Sequence, residues 1–356
     1  MIKILHSADW HLDAPMTGHS PEIARALQAA SRKIPEKIVT LCKQESCDLL
    51  LLAGDLFDGE ATQDTIRSVQ NALSQLEIPV VITPGNHDYC HPGSPYLKEG
   101  WPENVRIFKK AQIESLSLPA LDCKIYGAGY ESMDCPGLLK RFRAEGAERY
   151  HIGVFHADAT TASTYFPVTR HQIQESGLDY VALGHIHKQG SLSAGDTLCL
   201  WPGCPMGRGF DELGEKGVIL TTLGEQTETK FIPLDTPRFF DVELGAGDDA
   251  AAALATVLPA IDSADFYRIT LTGYSSEIDV AALAQQFSHV PNLILRDQTL
   301  PEPDLWKNID TDTLEGLMFS QFKELADTAG EPLSRQAMLA ARICRSILDG
   351  QEVVLP

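Results

Sequence analysis

Five short clusters of metal-ligating residue types in this chain each sit just past the carboxyl end of a strand-like apolar run. That repeated placement constrains the fold more than any single segment does. Ile2–Ser7 leads to Asp9-Trp10-His11, and Asp48–Ala53 to Gly54-Asp55-Leu56-Phe57-Asp58. Pro79–Thr83 leads to Gly85-Asn86-His87-Asp88, His151–Phe155 to His156, and Tyr180–Leu183 to Gly184-His185-Ile186-His187. Between the first three runs lie segments of helical spacing, Pro21–Glu45 (Ile23, Leu27, Ile34, Ile38, Leu41) and Thr62–Leu76. A near-continuous apolar run such as Asp48–Ala53 marks a strand buried on both faces. The pattern predicts an α/β fold whose strands deliver all five motifs to one sheet edge, the edge where open α/β sheets bind ligands.

Beyond the last motif the pattern turns to short strands, Leu198–Trp201, Gly217–Leu223 and Glu228–Pro233, separated by Gly-rich turns. Thr236-Pro237 reads as a boundary. After it, Phe239–Leu244, an Ala-rich helix over Asp249–Leu258, Phe266–Leu271, a helix near Ile278–Phe287 and Leu293–Asp297 suggest a small α/β domain. Pro301-Glu302-Pro303 reads as a linker, and two helices follow. The first opens on an Asp312/Glu315 capping box, and the second carries Leu339, Ile343 and Ile347 on one face and stops at Gly350. The expected division is 1–235, 236–300 and 301–356. The apolar stripes of the closing helices, Leu317, Met318 and Phe322 with Leu339, Ile343 and Ile347, suit either the protein's own core or a partner helix.

At 356 residues, with 44% hydrophobic and 22% charged side chains, the chain has the makeup of a globular protein of about two domains. No stretch has the length of a membrane span, and Met1–Leu5 runs straight into the first motif, as part of the fold would. Eight scattered cysteines with no paired spacing fit a reduced, cytoplasmic protein. The net charge of −20 is divided between the two parts, with 8 basic and 19 acidic residues in 236–356 against 21 and 30 in 1–235. No basic stripe of the kind a free-standing DNA binder carries is present. Either the substrate is small, or a partner supplies much of the grip on a polyanion.

Carboxylate, imidazole and carboxamide side chains are the ligands that hold a pair of borderline divalent metals. Two such ions bind phosphate oxygens and activate a bridging water for in-line attack on a phosphodiester. Asp55 is the natural bridge, its loop lying between the other ligand-bearing loops. One metal would take Asp9, His11 and His187, and the other Asn86, His156 and His185. His87 would face the substrate as acid or transition-state stabiliser, with Asp88 orienting it from behind. Alone, Gly-Asp-x-x-Asp and Gly-Asn are ordinary turn chemistry, and His156 is nominated only by its place after a strand. The weight lies in the ordered set. His6 and His151, at or near strand starts, need no functional role.

The set D-x-H, G-D-x-x-D, G-N-H-D, a lone His and G-H-x-H resembles the calcineurin-like metallophosphoesterase superfamily over about residues 1–235. The blocks Ile4-Leu5-His6-Ser7-Ala8-Asp9-Trp10-His11-Leu12-Asp13 and Ala53-Gly54-Asp55-Leu56-Phe57-Asp58 resemble, more narrowly, the bacterial SbcD-type DNA repair exonucleases, nuclease subunits of an ABC-type coiled-coil ATPase. That resemblance implies a four-layer α/β/β/α core with a small α/β capping domain and C-terminal helices that dock the ATPase. It also implies two divalent metal ions, Mn²⁺ foremost with Fe, Zn or Mg as substitutes, activity on double-stranded DNA ends, and a homodimer. Where related nucleases carry Ser after the glycine of Trp201-Pro202-Gly203, this chain has Cys204. Arg170, Lys188 and Arg208 are candidates to approach a phosphate backbone. The competing readings are a phosphodiesterase for a small substrate such as a cyclic nucleotide, and a binding subunit whose metal site is structural.

Overall fold

The computed structural model describes residues 1–350 apart from 160, 161, 248, 276, 277, 302 and 311, together with Val353. The chain divides into two units, Met1–Phe239 and Phe240–Pro356.

The first unit runs β1 (Ile2–Ser7), α1 (Pro21–Ser31), α2 (Ile34–Gln44), β2 (Leu49–Leu52), α3 (Gln63–Leu73), β3 (Val80–Ile82), β4 (Val105–Ile107), β5 (Glu114–Leu118), β6 (Cys123–Ala128), β7 (Tyr150–His156), α4 (Arg170–Glu175), β8 (Tyr180–Gly184), β9 (Gly190–Ser191), β10 (Leu198–Trp201), β11 (Gly217–Leu223) and β12 (Glu228–Pro233). The single helix expected over Pro21–Glu45 is two. Pro35 lacks the N–H a continuing helix would use and fits the first turn of a new one, so the chain turns at Arg32–Lys33 and restarts at Ile34. Thr62 caps α3 by accepting from the Thr65 N–H.

Two six-stranded sheets result, ordered β12-β11-β1-β2-β3-β4 and β5-β6-β7-β8-β10-β9. In the first, β1 to β4 are parallel, and in the second β6, β7, β8 and β10 are parallel. The sheets meet face to face: Ile2, Ile4, Leu49, Leu51 and Val81 pack in one core with Ile125, Ile152, Val154, Tyr180 and Ala182. Side chains alternate along a strand, so Leu50, Leu52, Val80 and Ile82, all fully buried, point to the other side. The parallel crossovers place α1–α3 there, where α2 buries Ile38 and Val39 and α3 buries Ile66, Val69 and Leu73. Each fully buried Leu contributes roughly 2 kcal/mol, which is why a run such as Leu49–Leu52 fixes the centre of the sheet. The outer face of the second sheet is covered by α4 and loop residues, with Phe155, Val181 and Leu183 packed on Phe166, Val168 and Ile173. The layering is therefore α/β/β/α, with a thin fourth layer.

The second unit contains β13 (Phe239–Gly245), α5 (Ala250–Val257), β14 (Phe266–Thr272), β15 (Tyr274–Ser275), α6 (Val280–Gln286), β16 (Leu293–Asp297), β17 (Leu300–Pro301), α7 (Leu314–Thr328) and α8 (Leu333–Leu348). Strands β13, β14 and β16 form one sheet over a core of Leu254, Ile269, Leu271, Phe287 and Val290. The proposed Pro301-Glu302-Pro303 linker includes Glu302, which lies outside the described residues. The expected Asp312/Glu315 capping box is shifted by one residue: Thr313 caps α7 by accepting from the Gly316 N–H. Glu315 instead pairs with Arg345, whose buried guanidinium also donates to the carbonyls of Leu305 and Lys307 and lies over the Phe319 ring. The face of α8 turned inward is Ala337, Ala341 and Arg345, not the Leu339-Ile343-Ile347 stripe, and Ile347 is exposed. Leu317 of α7 is likewise exposed, while Met318 and Phe322 pack in the α7–α8 cluster.

Candidate metal centre

All five motifs lie at or just past the carboxyl ends of β1, β2, β3, β7 and β8. Asp9, His11, Asp55 and His185 hold φ of 55°, 45°, 51° and 91°, a left-handed conformation uncommon for side-chain-bearing residues. Such strain persists where the surroundings over-determine it and gathers at functional sites. Here glycines supply the closeness: a Cβ on Gly85 would collide with the Asp55 carboxylate, and one on Gly184 with the Ala53 carbonyl and the His156 ring. Trp201 fixes the other two strand ends by donating its indole N–H to the carbonyls of Gly184 and Ala157.

The seven residues read as ligands come together. Donor atoms of Asp9, His11 and His187 lie within 4.8 Å of one another, as do those of Asp9, Asp55 and His156. Asn86 Oδ1 is 3.0 Å from His156 Nε2 and 3.1 Å from His185 Nδ1. Asp55 Oδ2 stands between the two groups, 3.1 Å from His156 Nε2 and 3.7 Å from His11 Nε2. Each aspartate spends one oxygen on the backbone: Asp9 Oδ1 accepts from His185 N–H and Asp55 Oδ1 from His87 N–H, both at 2.9 Å. Asp9 Oδ2 is buried with no hydrogen-bond partner.

The ring nitrogens on the far side explain what this arrangement is for. His11 Nδ1 faces Asp58 at 3.2 Å, His187 Nδ1 faces Glu212 at 2.5 Å, and His156 Nδ1 faces the Ala53 carbonyl at 2.9 Å. Each of these partners is an acceptor, so each Nδ1 carries a proton and each Nε2 is the nitrogen left to ligate. His11 Nε2 and His187 Nε2 then oppose one another at 3.1 Å, and His156 Nε2 meets two oxygen acceptors. Imidazole nitrogens and carboxylate oxygens gather this way around cations, so the donor set fits a pair of divalent ions. Asp9's orphaned oxygen fits the same conclusion.

Without an ion, burial and the neighbouring carboxylates set the charges of these groups. Burial raises the Asp9 carboxyl above its ordinary pKa. Burial also opposes the Asp55 carboxylate, but the His156, His11 and His87 rings hold it well below the usual range. For His156, burial pulls down while Asp55 and Asp9 push up, and the net is about 9. Burial, aided by His156, lowers His185 to about 4. Chelation should therefore destabilise the first unit. A scan with Mn²⁺ at about a hundred times its Kd is expected to show about 2.7 kcal/mol more stability than with EDTA; identical melting curves would refute the donor-set reading.

His87 and Asp88 part company. The carboxylate on His87 Nδ1 is Asp58, at 2.8 Å, and it raises the imidazole's pKa. Asp88 is no support for that ring. Its oxygens accept from the N–H groups of Gly85, Leu56 and Phe57 and from the Tyr96 hydroxyl. Two supports went unread in the sequence, Asp58 and Glu212; the first sits in a motif already quoted, while nothing in the spacing signals the second. Of the three candidate cations, Arg208 reaches the site, with Nη2 3.3 Å from His187 Nδ1. Arg170 instead donates to the Ser193 carbonyl, and Lys188 is exposed. Cys204 is buried and its thiol donates to the His187 carbonyl at 3.6 Å. His6 is buried inside β1 rather than at its start, between the Tyr180 hydroxyl and the Leu183 carbonyl, and burial lowers its pKa to about 3.

A double α/β sheet with these ligand clusters at one strand edge defines a metal-dependent phosphoesterase. The chain belongs to the calcineurin-like phosphoesterase family, whose model matches residues 2–189. It is 34% identical over 235 residues to the uncharacterized metallophosphoesterase YhaO of Bacillus subtilis (strain 168), a match covering 62% of this chain and 57% of that protein. The match thus takes in less than two thirds of that relative. Among solved structures, a dimetal phosphatase from Danio rerio is similar at 12% identity and TM-score 0.46, covering 65% of this chain and 96% of that one. A Thermus thermophilus protein, TT1561, matches at 17% identity and TM-score 0.39, covering 65% and 98%. Among the described residues no helix is long and apolar enough to cross a membrane.

Proposed function

We propose that this hydrolase is the nuclease subunit of a DNA-processing complex, cutting phosphodiester bonds with a Mn²⁺ pair held by Asp9, His11, Asp55, Asn86, His156, His185 and His187. The observation that carries the hydrolytic part is the convergence of imidazole nitrogens and carboxylate oxygens between two groups joined by Asp55. When bound, the ions neutralise the phosphate and activate the attacking water. The protein's own part is positional. The half-exposed His87 ring, anchored through Nδ1 on Asp58, presents Nε2 away from that anchor and toward a substrate, where it gives the leaving oxygen its proton. Backbone N–H groups of His87 and His185 hold the two aspartates in place.

DNA as substrate is supported by the Asp9 and Asp55 sequence blocks and by the separate second unit, which hydrolysis of a small ester does not need. With Arg208 alone of the three candidate cations at the site and a net charge of −20, the grip on DNA falls to a partner, an ABC-type ATPase. We place the complex in the cytoplasm, with the nuclease unit as a homodimer. The test is digestion of end-labelled linear duplex DNA with Mn²⁺, beside bis(4-nitrophenyl) phosphate as a small diester. Wild type should cut both, and His87→Asn should lose at least about a hundredfold on both while still binding metal. Hydrolysis of the small diester alone, with the ATPase partner present, would overturn the nuclease reading. An unimpaired His87→Asn variant would overturn the role given to His87.

A further inference from the structure

We propose that Glu212, itself held by Arg208, is a positioning residue for His187: it accepts a hydrogen bond from Nδ1–H and so fixes the tautomer that turns Nε2 toward His11 and Asp9. This rests on the metal-pair reading above. His187 Nδ1 and Glu212 Oε1 are 2.5 Å apart, a separation at which two bare acceptors would repel, so a proton lies between them. The carboxylate is itself anchored. Glu212 Oε2 accepts from the Arg208 N–H at 2.8 Å, and Oε1 accepts from Arg208 Nη2 at 3.2 Å. Glu212 is buried, and its own N–H closes a turn onto the Gly209 carbonyl.

This support sits in the loop after β10, outside the 2–189 stretch that the family model matches. It has a counterpart on the other imidazole of the same metal group, since Asp58 faces His11 Nδ1. By contrast, the outward nitrogen of His156 rests on a neutral carbonyl. A carboxylate behind a ligating imidazole raises its basicity and fixes its orientation, and losing one costs about 10–100-fold in metal affinity.

The discriminating experiment is titration of the metal-free full chain with Mn²⁺ alone, followed by calorimetry and by electron paramagnetic resonance of free ion. Wild type should bind two ions. In Glu212→Ala, one ion should weaken about 10–100-fold while the other keeps its affinity. Glu212→Gln, whose amide oxygen still accepts from Nδ1–H, should recover most of the loss. Both ions binding Glu212→Ala as they bind wild type would overturn the proposal. Failure of wild type to bind a pair would instead overturn the metal-centre reading. Should Glu212→Ala not fold, ¹⁵N spectra of histidine-labelled wild type read the His187 tautomer directly: Nδ1–H is expected, and Nε2–H overturns the assignment.

Discussion

Gly184→Ala is expected to remove metal binding and hydrolysis together, although residue 184 ligates nothing. The glycine ends β8 directly before His185, and the place where a Cβ would go is already filled by the Ala53 carbonyl and the His156 ring. Neither neighbour has room to give. The carbonyl belongs to the chain between β2 and Asp55 and accepts from His156 Nδ1, and His156 Nε2 sits among Asn86 and Asp55. One methyl group therefore pushes on ligands from three strands. Overpacking a rigid interior costs about 1–3 kcal/mol, and an ångström of displacement at a reacting centre costs about a hundredfold in rate. Isothermal titration with Mn²⁺ and the rate on bis(4-nitrophenyl) phosphate would read both effects. Wild-type Mn²⁺ affinity in a folded Gly184→Ala protein would show that β2, β7 and β8 do not constrain one another as their packing indicates.

The same dependence of site on sheet explains what the sequence made legible. Apolar runs such as Leu49–Leu52 and Tyr180–Leu183 are buried on both faces, so they carry an unbroken hydrophobic signal, and the motifs at their ends carry turn chemistry beside it. Strand β5, with Glu114, Ser115 and Ser117 among two leucines, is half-exposed at the edge of its sheet and leaves no such signature. Nor does loop closure leave one. Glu212 meets His187 because β10 and the turns after it fold back, and 25 positions of separation conceal that. The Asp312/Glu315 pattern was a true cap signal placed one residue early, since Thr313 competes for the same role. On α8 the stripe of larger apolar residues misled. The small Ala337 and Ala341 and the paired Arg345 let the two closing helices approach, while Ile347 faces solvent.

Asp88 shows how a motif can be read to the letter and given the wrong task, and its substitution separates the two tasks. Asp88→Ala is expected to cost about 4 kcal/mol of stability, because three backbone N–H groups and a phenol lose their buried acceptor at once. Its environment shows the strain of the arrangement: burial and the Asp55 charge push its pKa up to about 6 against the pull of Tyr96 and the backbone donors. The backbone donors belong to the Gly54–Asp58 loop and the Gly85–Asp88 loop, so the carboxylate ties together the loops that carry Asp55 and Asn86. His87→Asn, by contrast, alters a half-exposed ring and should leave stability within about 0.5 kcal/mol while the rate falls. Urea unfolding of the two variants, with rates measured beside it, gives the comparison. An Asp88→Ala protein as stable as wild type but slowed like His87→Asn would return Asp88 to the acid–base pair and leave the joining of the two loops without an agent.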